Sequence, residues 1–152
     1  MFFVESRAGS CYLGNPVSDD HPNEFCGLYG AYGVDRVMPV IYRGLFSLQH
    51  RGQESAGIAT TDGNKLQVYA NMGLVSQVFD EDALSQLRGH IAIGHTRYST
   101  KGSSRICNAQ PIVVGEGSNV MAIAHNGNIV NAEHLHEELS SQGYTFVSST
   151  DT

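Results

Sequence analysis

The sequence contains no tryptophan, few basic residues and no long run of apolar side chains. Nine lysine and arginine residues are outnumbered by fifteen aspartate and glutamate residues, and the net charge is −6. Because the basic residues form no cluster, no nucleic-acid partner is expected. No apolar run reaches the roughly 18–20 residues that span a bilayer, so no membrane association is expected either.

Cysteine is also scarce. Cys11, Cys26 and Cys107 lie far apart, and none belongs to a CxxC pair. This spacing indicates neither a disulfide framework nor a zinc site, and the histidines lack the i, i+4 spacing of a helical zinc pair. We therefore expect no metal or cofactor in this segment. The cysteine content fits a reducing cytoplasm, and the N-terminus does not resemble a signal peptide.

The first 25 residues differ in composition from the rest of the chain. Residues 14–24 (GNPVSDDHPNE) combine prolines, a glycine and acidic groups. This composition predicts an extended, solvated leader over residues 1–25, although an ordinary N-terminal tail would have the same composition. Residues 26–152 are predicted to form the folded part.

From residue 26 onward, the apolar pattern predicts strands and helices in mixed order. Three helices are expected, with Asp35, Asp80 and Asn131 as their caps. A TDGN turn is expected to join two of the strands as a hairpin, which favours antiparallel pairing and an α+β fold. The expected strands span residues 26–32, 56–61, 65–70, 90–97, two segments within 111–125, and 144–148; the helices span about 36–51, 81–89 and 131–143.

Polar residues concentrate beside glycines in three segments: residues 48–57 (LQHRGQESAG), 95–102 (HTRYSTKG) and 124–128 (AHNGN). Backbone can approach a ligand closely at such glycines. Asn126 and the backbone N–H of Gly127 provide the donors of an oxyanion hole. An ordinary Asn-Gly turn explains the same two residues, so both interpretations stay open here.

Four further residues are candidates with open alternatives. Arg97 ends an apolar strand and can clamp a carboxylate, and Arg51 ends a predicted helix, but either can form a surface ion pair instead. Asp151 can bind an amino group or be a solvated terminal charge. Cys26 can be a nucleophile or a small apolar core residue, and it lies where the folded part is predicted to begin.

Several segments, read together, resemble the class II glutamine amidotransferases and, within them, the amidophosphoribosyltransferase branch. The segment LQHRGQESAG separates this branch from the hexosamine-phosphate synthases. The resemblance implies an α+β, four-layer αββα sandwich of the N-terminal-nucleophile hydrolase type, incomplete in this chain. The segments that carry it are CGLYG, GLFSLQHRGQESAGI, NMGLVSQVF, AIGHTRYSTKGSS, NAQP, AHNGNIVNA and SSTDT.

The resemblance implies a catalytic role for four of the candidates. Cys26 would be the nucleophile, exposed when the leader is removed as a propeptide, and its free α-amino group would act as the general base. Asn126 and the N–H of Gly127 would form the oxyanion hole. Arg51 would help to order the site.

The resemblance also implies the substrates. Arg97 would bind the α-carboxylate of glutamine, and Asp151 its α-amino group. Ammonia from glutamine would then convert phosphoribosyl pyrophosphate to 5-phosphoribosylamine, the first step of de novo purine biosynthesis. The phosphoribosyltransferase domain would lie outside this apparently truncated sequence, together with sites for Mg²⁺ and, in some members, a 4Fe–4S cluster. The full-length family enzyme is expected to be a homo-oligomer.

Two other functions stay open on the sequence. A non-catalytic remnant would bind glutamine weakly or act as an interaction module. A cysteine peptidase acting on its own leader would hydrolyse unrelated peptides. The state of the Cys26 α-amino group separates an enzyme from a remnant, because no base is available while Cys26 stays joined to Phe25.

Overall fold

The structure is a computed structural model that describes residues 26–98, 104–117 and 119–152. The predicted leader and parts of two predicted loops lie outside the described residues. Within these ranges, no helix is long and apolar enough to cross a membrane. In chain order, the helices and strands are β1 (Gly27–Tyr32), α1 (Val37–Ser47), β2 (Ser55–Thr61), β3 (Leu66–Met72), α2 (Val75–Val78), α3 (Glu81–Gln86), β4 (Ile91–Arg97), β5 (Ile112–Val114), β6 (Met121–Ile123) and α4 (Ala132–Ser141).

Among the described residues, the main sheet has four strands in the order β1-β4-β2-β3, and β5 pairs with β6 in a second sheet. Both sheets are antiparallel, as the sequence predicted. Thr96 of β4 lies opposite Gly27 of β1 on one side and Ala56 of β2 on the other. The start of β1, the end of β4 and the start of β2 therefore lie side by side at one end of the sheet.

Helix α1 covers one face of this sheet. Its residues Ile41 and Leu45 are fully buried. Leu45 lies directly over Gly94 of β4, where an added Cβ would be 2.7 Å from a Leu45 methyl group. Val75 and Ala83, from the two short helices that follow β3, complete the same core. Burial of side chains as large as leucine or isoleucine contributes about 1.5–3 kcal/mol each, so this face holds the fold together.

The TDGN hairpin turn between β2 and β3 is confirmed. The Asp62 carboxylate accepts the backbone N–H groups of Asn64 and Lys65, each at 2.9 Å. These bonds lower the pKa of Asp62 below its usual value, and the bond from the Lys65 N–H has the largest effect. Gly63 has a φ of +93°, which a residue with a side chain rarely adopts.

Some local predictions are wrong. Arg36, not Asp35, is the N-cap of α1, and no side chain bonds to the helix there. Residues 144–148 form no strand; Val147 is 71% exposed and no described strand pairs with them. Helix α4 begins after Asn131 as expected, but among the described residues the Asn131 side chain makes no cap hydrogen bond, and none of the helix residues is buried. The four-residue helix α2 is too short to show helical periodicity in the sequence.

Candidate active site

Cys26 immediately precedes β1 and is half-buried, with a free thiol. Its Sγ lies 3.4 Å from the backbone nitrogen and 3.4 Å from the carbonyl oxygen of Tyr98, the residue that follows β4. The Tyr98 N–H points to the sulfur as a donor and can stabilise negative charge that develops there. The pairing of β1 with β4 thus places the candidate nucleophile against the end of β4.

Arg51 holds the main chain of the candidate nucleophile. It lies in a single 3-10 turn, Gln49–Arg51, that follows α1, and not at the end of the helix itself. Its Nε donates to the carbonyl oxygen of Cys26 at 3.3 Å. The neighbouring Gly52 packs against β4, where an added Cβ would lie 2.6 Å from the Thr96 carbonyl oxygen. A glycine is required there because the segment crosses the end of β4 so closely.

Arg97 is the last residue of β4 and is only 2% exposed. Its Nη1 forms an ion pair with the Glu54 carboxylate, and the Glu54 N–H donates to the Arg97 carbonyl at 3.1 Å. The guanidinium is therefore fixed by a partly buried carboxylate. Because a guanidinium has five N–H donors in a rigid fork, it can bind a second carboxylate beside the first. Glu54 was not singled out from the sequence, although it lies within LQHRGQESAG.

Asn126 and Gly127 lie in an exposed turn after β6, which we call the NG turn. His95 of β4 is fully buried and its Nε2 lies 3.1 Å from the carbonyl oxygen of His125. A carbonyl only accepts, so Nε2 carries the proton of the neutral ring. This bond ties the NG turn to β4 two residues before Arg97.

Asp151 lies against the NG turn. Its Oδ2 accepts the backbone N–H of Ile129 at 2.6 Å. The structure therefore arranges the six predicted site residues in two groups. Cys26, Arg51 and Arg97 surround the end of β4, while Asn126, Gly127 and Asp151 form the second group, which the bond from His95 connects to the same strand.

His95 should make stability depend on pH. Desolvation by burial lowers the pKa of His95 from 6.5 to about 4, partly opposed by its bond to the His125 carbonyl. An unfolded chain then binds a proton at His95 that the folded chain does not bind. The stabilisation that neutral His95 contributes is fully present above pH 6.5. The free energy of unfolding falls by about 3 kcal/mol as the pH decreases to about 4.

Urea unfolding at pH 7, 5.5 and 4 measures this loss. His95→Gln keeps a donor for the His125 carbonyl but does not titrate, so its stability should fall less over the same range. The carboxylates contribute equally to the pH dependence of unfolding in both proteins. The difference between the two losses of unfolding free energy is therefore the contribution of His95. Equal losses of unfolding free energy in the two proteins would contradict the assignment of this pH dependence to His95.

Metal-ligating side chains do not cluster in the described ranges, where no group of three or more His, Cys, Asp or Glu residues can hold a metal ion.

The glutamine amidotransferase domain family matches residues 79–152. The chain is 49% identical over 134 residues to the amidophosphoribosyltransferase of Synechococcus elongatus, covering 88% of this chain and 27% of that protein. It is 51% identical over 129 residues to the amidophosphoribosyltransferase of Methanocaldococcus jannaschii, covering 84% of this chain and 27% of that protein.

A solved structure shows the same similarity. The glutamine phosphoribosylpyrophosphate amidotransferase of B. subtilis, in complex with ADP and GMP, matches with a TM-score of 0.76 and 44% sequence identity. The match covers 82% of this chain and 27% of that chain. At this identity it confirms the predicted α+β fold of the N-terminal-nucleophile hydrolase type. The chain spans about 27% of the length of each of these relatives.

Proposed function

The chain belongs to the glutamine amidotransferase domain family, with amidophosphoribosyltransferases as its relatives, and from this premise we propose that it releases ammonia from glutamine with Cys26 as nucleophile. One observation carries the proposal. The free thiol of Cys26 lies 3.4 Å from the Tyr98 backbone nitrogen, at the strand end where Arg97 is buried. The proposed nucleophile, a backbone N–H donor and a buried cation thus lie at the same end of β4.

The first step forms a thioester. The Cys26 sulfur attacks the side-chain amide carbon of glutamine, and the thiol proton passes to the α-amino group of Cys26. As the C–S bond forms, charge moves onto the amide oxygen, where Asn126 and the Gly127 N–H donate hydrogen bonds. The oxyanion then collapses, the C–N bond breaks, and the α-amino group gives its proton to the nitrogen that leaves as ammonia.

The second step restores the thiol. Water attacks the thioester carbon while the α-amino group accepts a proton from the water. The same donors stabilise the second oxyanion. The C–S bond breaks, the sulfur recovers its proton, and glutamate leaves.

Substrate orientation depends on charges at the two ends of the glutamine backbone. Arg97 binds the α-carboxylate, and its ion pair with Glu54 supports this role because it fixes the guanidinium before substrate arrives. Asp151 binds the α-amino group, and its bond to the Ile129 N–H supports this role because it places the carboxylate beside the NG turn. Arg51 keeps the Cys26 main chain in place.

The relatives suggest where the ammonia goes. In the proposed whole reaction, ammonia displaces pyrophosphate from phosphoribosyl pyrophosphate and yields 5-phosphoribosylamine. The residues that bind phosphoribosyl pyrophosphate are proposed to lie outside this chain.

The mature N-terminus tests the proposal. An α-amino group has a pKa of about 7.7–8.0 and acts as a base near neutral pH, whereas a peptide nitrogen cannot. We expect the protein purified from its own cells to begin at Cys26 and to release glutamate from glutamine. Mass spectrometry of the intact protein and its N-terminal peptide measures the first property, and a glutamate assay the second.

Two results would contradict the proposal. One is normal turnover by a chain in which Cys26 is still joined to Phe25. The other is a chain with a free Cys26 amine that binds glutamine without hydrolysing it, which would favour a non-catalytic remnant.

A further inference from the structure

The segment NAQP, residues 108–111, has no role in the mechanism above, yet its two amide side chains are buried. Asn108 is 0% exposed and Gln110 is 5% exposed. A buried amide is costly unless its donors and acceptor find partners. The partners of these two amides therefore indicate what the segment stabilises.

Gln110 joins two parts of the site. Its Oε1 accepts the backbone N–H of His125 at 2.7 Å, and its Nε2 donates to Thr152 Oγ1 at 3.0 Å. His125 precedes the oxyanion candidate Asn126, and Thr152 follows the amine-binding candidate Asp151. One side chain thus connects both sets of substrate contacts.

His125 is held from two sides. Its N–H is bonded to Gln110, and its carbonyl oxygen lies 3.1 Å from Nε2 of the fully buried His95. The main chain of Gln110 lies against the sheet at Gly57, where an added Cβ would be 2.1 Å from the Gln110 carbonyl oxygen. The peptide that leads into the NG turn is therefore fixed between a loop and β4.

Asn108 holds the approach to Asp151. Its Oδ1 accepts the Ser149 N–H at 2.9 Å, and its Nδ2 donates to Ser149 Oγ at 2.9 Å. Ser149 lies two residues before Asp151. The two hydrogen bonds to one residue fix both its main chain and its side chain.

From these contacts we propose that Asn108 and Gln110 are positioning residues, which together form an amide bridge between the NG turn and Asp151. The amide bridge rests on the proposed function and extends it. Neither side chain touches the reacting atoms; each acts through the residues that do. Asn108 acts through Asp151 alone, whereas Gln110 acts through both Asp151 and the NG turn.

This arrangement predicts different kinetic effects for the two amides. Asn108→Leu should raise the KM for glutamine about tenfold with little change in kcat, because only the amine contact moves. Gln110→Met should also lower kcat by about ten- to a hundredfold, because a displaced oxyanion donor is lost to the transition state. Gln110→Glu should recover most of kcat, since its carboxylate still accepts the His125 N–H.

The experiment measures glutamate release, thermal unfolding and amide hydrogen exchange at His125, on the protein as its own cells make it. The matched control is Gln67→Met. Gln67 accepts the Arg88 N–H at 3.0 Å and pairs with Thr60, toward the opposite end of the sheet. This control should lose a side chain–backbone bond without changing kcat or KM. Thr152→Val, which removes one bond of Gln110, covers the case in which Gln110→Met does not fold.

Each possible result either supports or overturns the amide bridge. A raised KM alone in Asn108→Leu, and a lowered kcat with faster His125 exchange only in Gln110→Met, support the amide bridge. A raised KM with unchanged kcat in Thr152→Val supports it as well. Unchanged kinetics in folded variants, or losses of activity that match the loss of folded protein, overturn it. If the wild-type protein released no glutamate, the proposed function would be wrong. His125 exchange would then still support the bridge if it accelerates in Gln110→Met, and overturn it if it does not.

Discussion

Replacing Cys26 with serine is expected to reduce glutamate release by at least about a thousandfold, because the variant keeps the α-amino base but loses the nucleophilic sulfur. A hydroxyl is far less acidic than a thiol, so it is a weak nucleophile at neutral pH. The Cys26 carbonyl that Arg51 binds is unchanged, and the variant should fold normally. Steady-state glutamate assays give the rate, and calorimetry should show that glutamine still binds.

The comparison requires that the variant is processed like the wild type. Mass spectrometry must therefore show the same N-terminal residue position in both proteins, and their thermal unfolding must agree. A variant that meets these conditions and still releases glutamate at the normal rate would refute Cys26 as the nucleophile.

Replacing Arg97 with alanine is expected to have two large effects. The KM for glutamine should rise about a hundredfold, with kcat nearly unchanged, because the α-carboxylate loses its cation. The free energy of unfolding should fall by about 3 kcal/mol, because Glu54, whose side chain is 15% exposed, is left without its ion-pair partner. Steady-state kinetics and urea unfolding measure the two effects.

A second substitution separates binding from stability. Arg97→Ala combined with Glu54→Gln removes the carboxylate charge together with the guanidinium, so stability should recover while KM stays high. Arg97→Lys should not restore normal KM, because an ammonium lacks the planar fork that holds two carboxylates. An unchanged KM in Arg97→Ala would rule out the carboxylate-binding role.

Local sequence features predicted the local structure well. The Asp62 turn and the Asp80 cap, whose carboxylate accepts the Ala83 N–H at 2.8 Å, both depend on neighbours within a few residues. A strand, in contrast, needs a partner. The apolar residues 144–148 were predicted as one because the pattern does not show whether a partner strand is present.

The supporting residues of the site could not be found in this way. His95 and the His125 carbonyl are 30 positions apart, and Glu54 and Arg97 are 43 positions apart. The amide bridge depends on bonds across 15, 41 and 42 positions. Hydrophobic periodicity does not indicate contacts between residues that are so far apart in the sequence. Residue type and position made the six predicted site residues candidates, and the family resemblance assigned their roles. The structure adds the groups that hold them.

Among the described strands, β1 lies at the edge of the main sheet, and the proposed nucleophile Cys26 lies directly before its first residue. A chain terminus usually frays, because few bonds restrain it. Here the Arg51 and Tyr98 contacts hold that end, and an added Cβ at Gly27 would lie 2.5 Å from Thr96 Oγ1, so β1 fits closely on its neighbours. Local opening of an edge needs less free energy than global unfolding. On heating, we therefore expect the six-residue strand β1 to detach before the rest of the molecule unfolds, and glutamate release to be lost at that step.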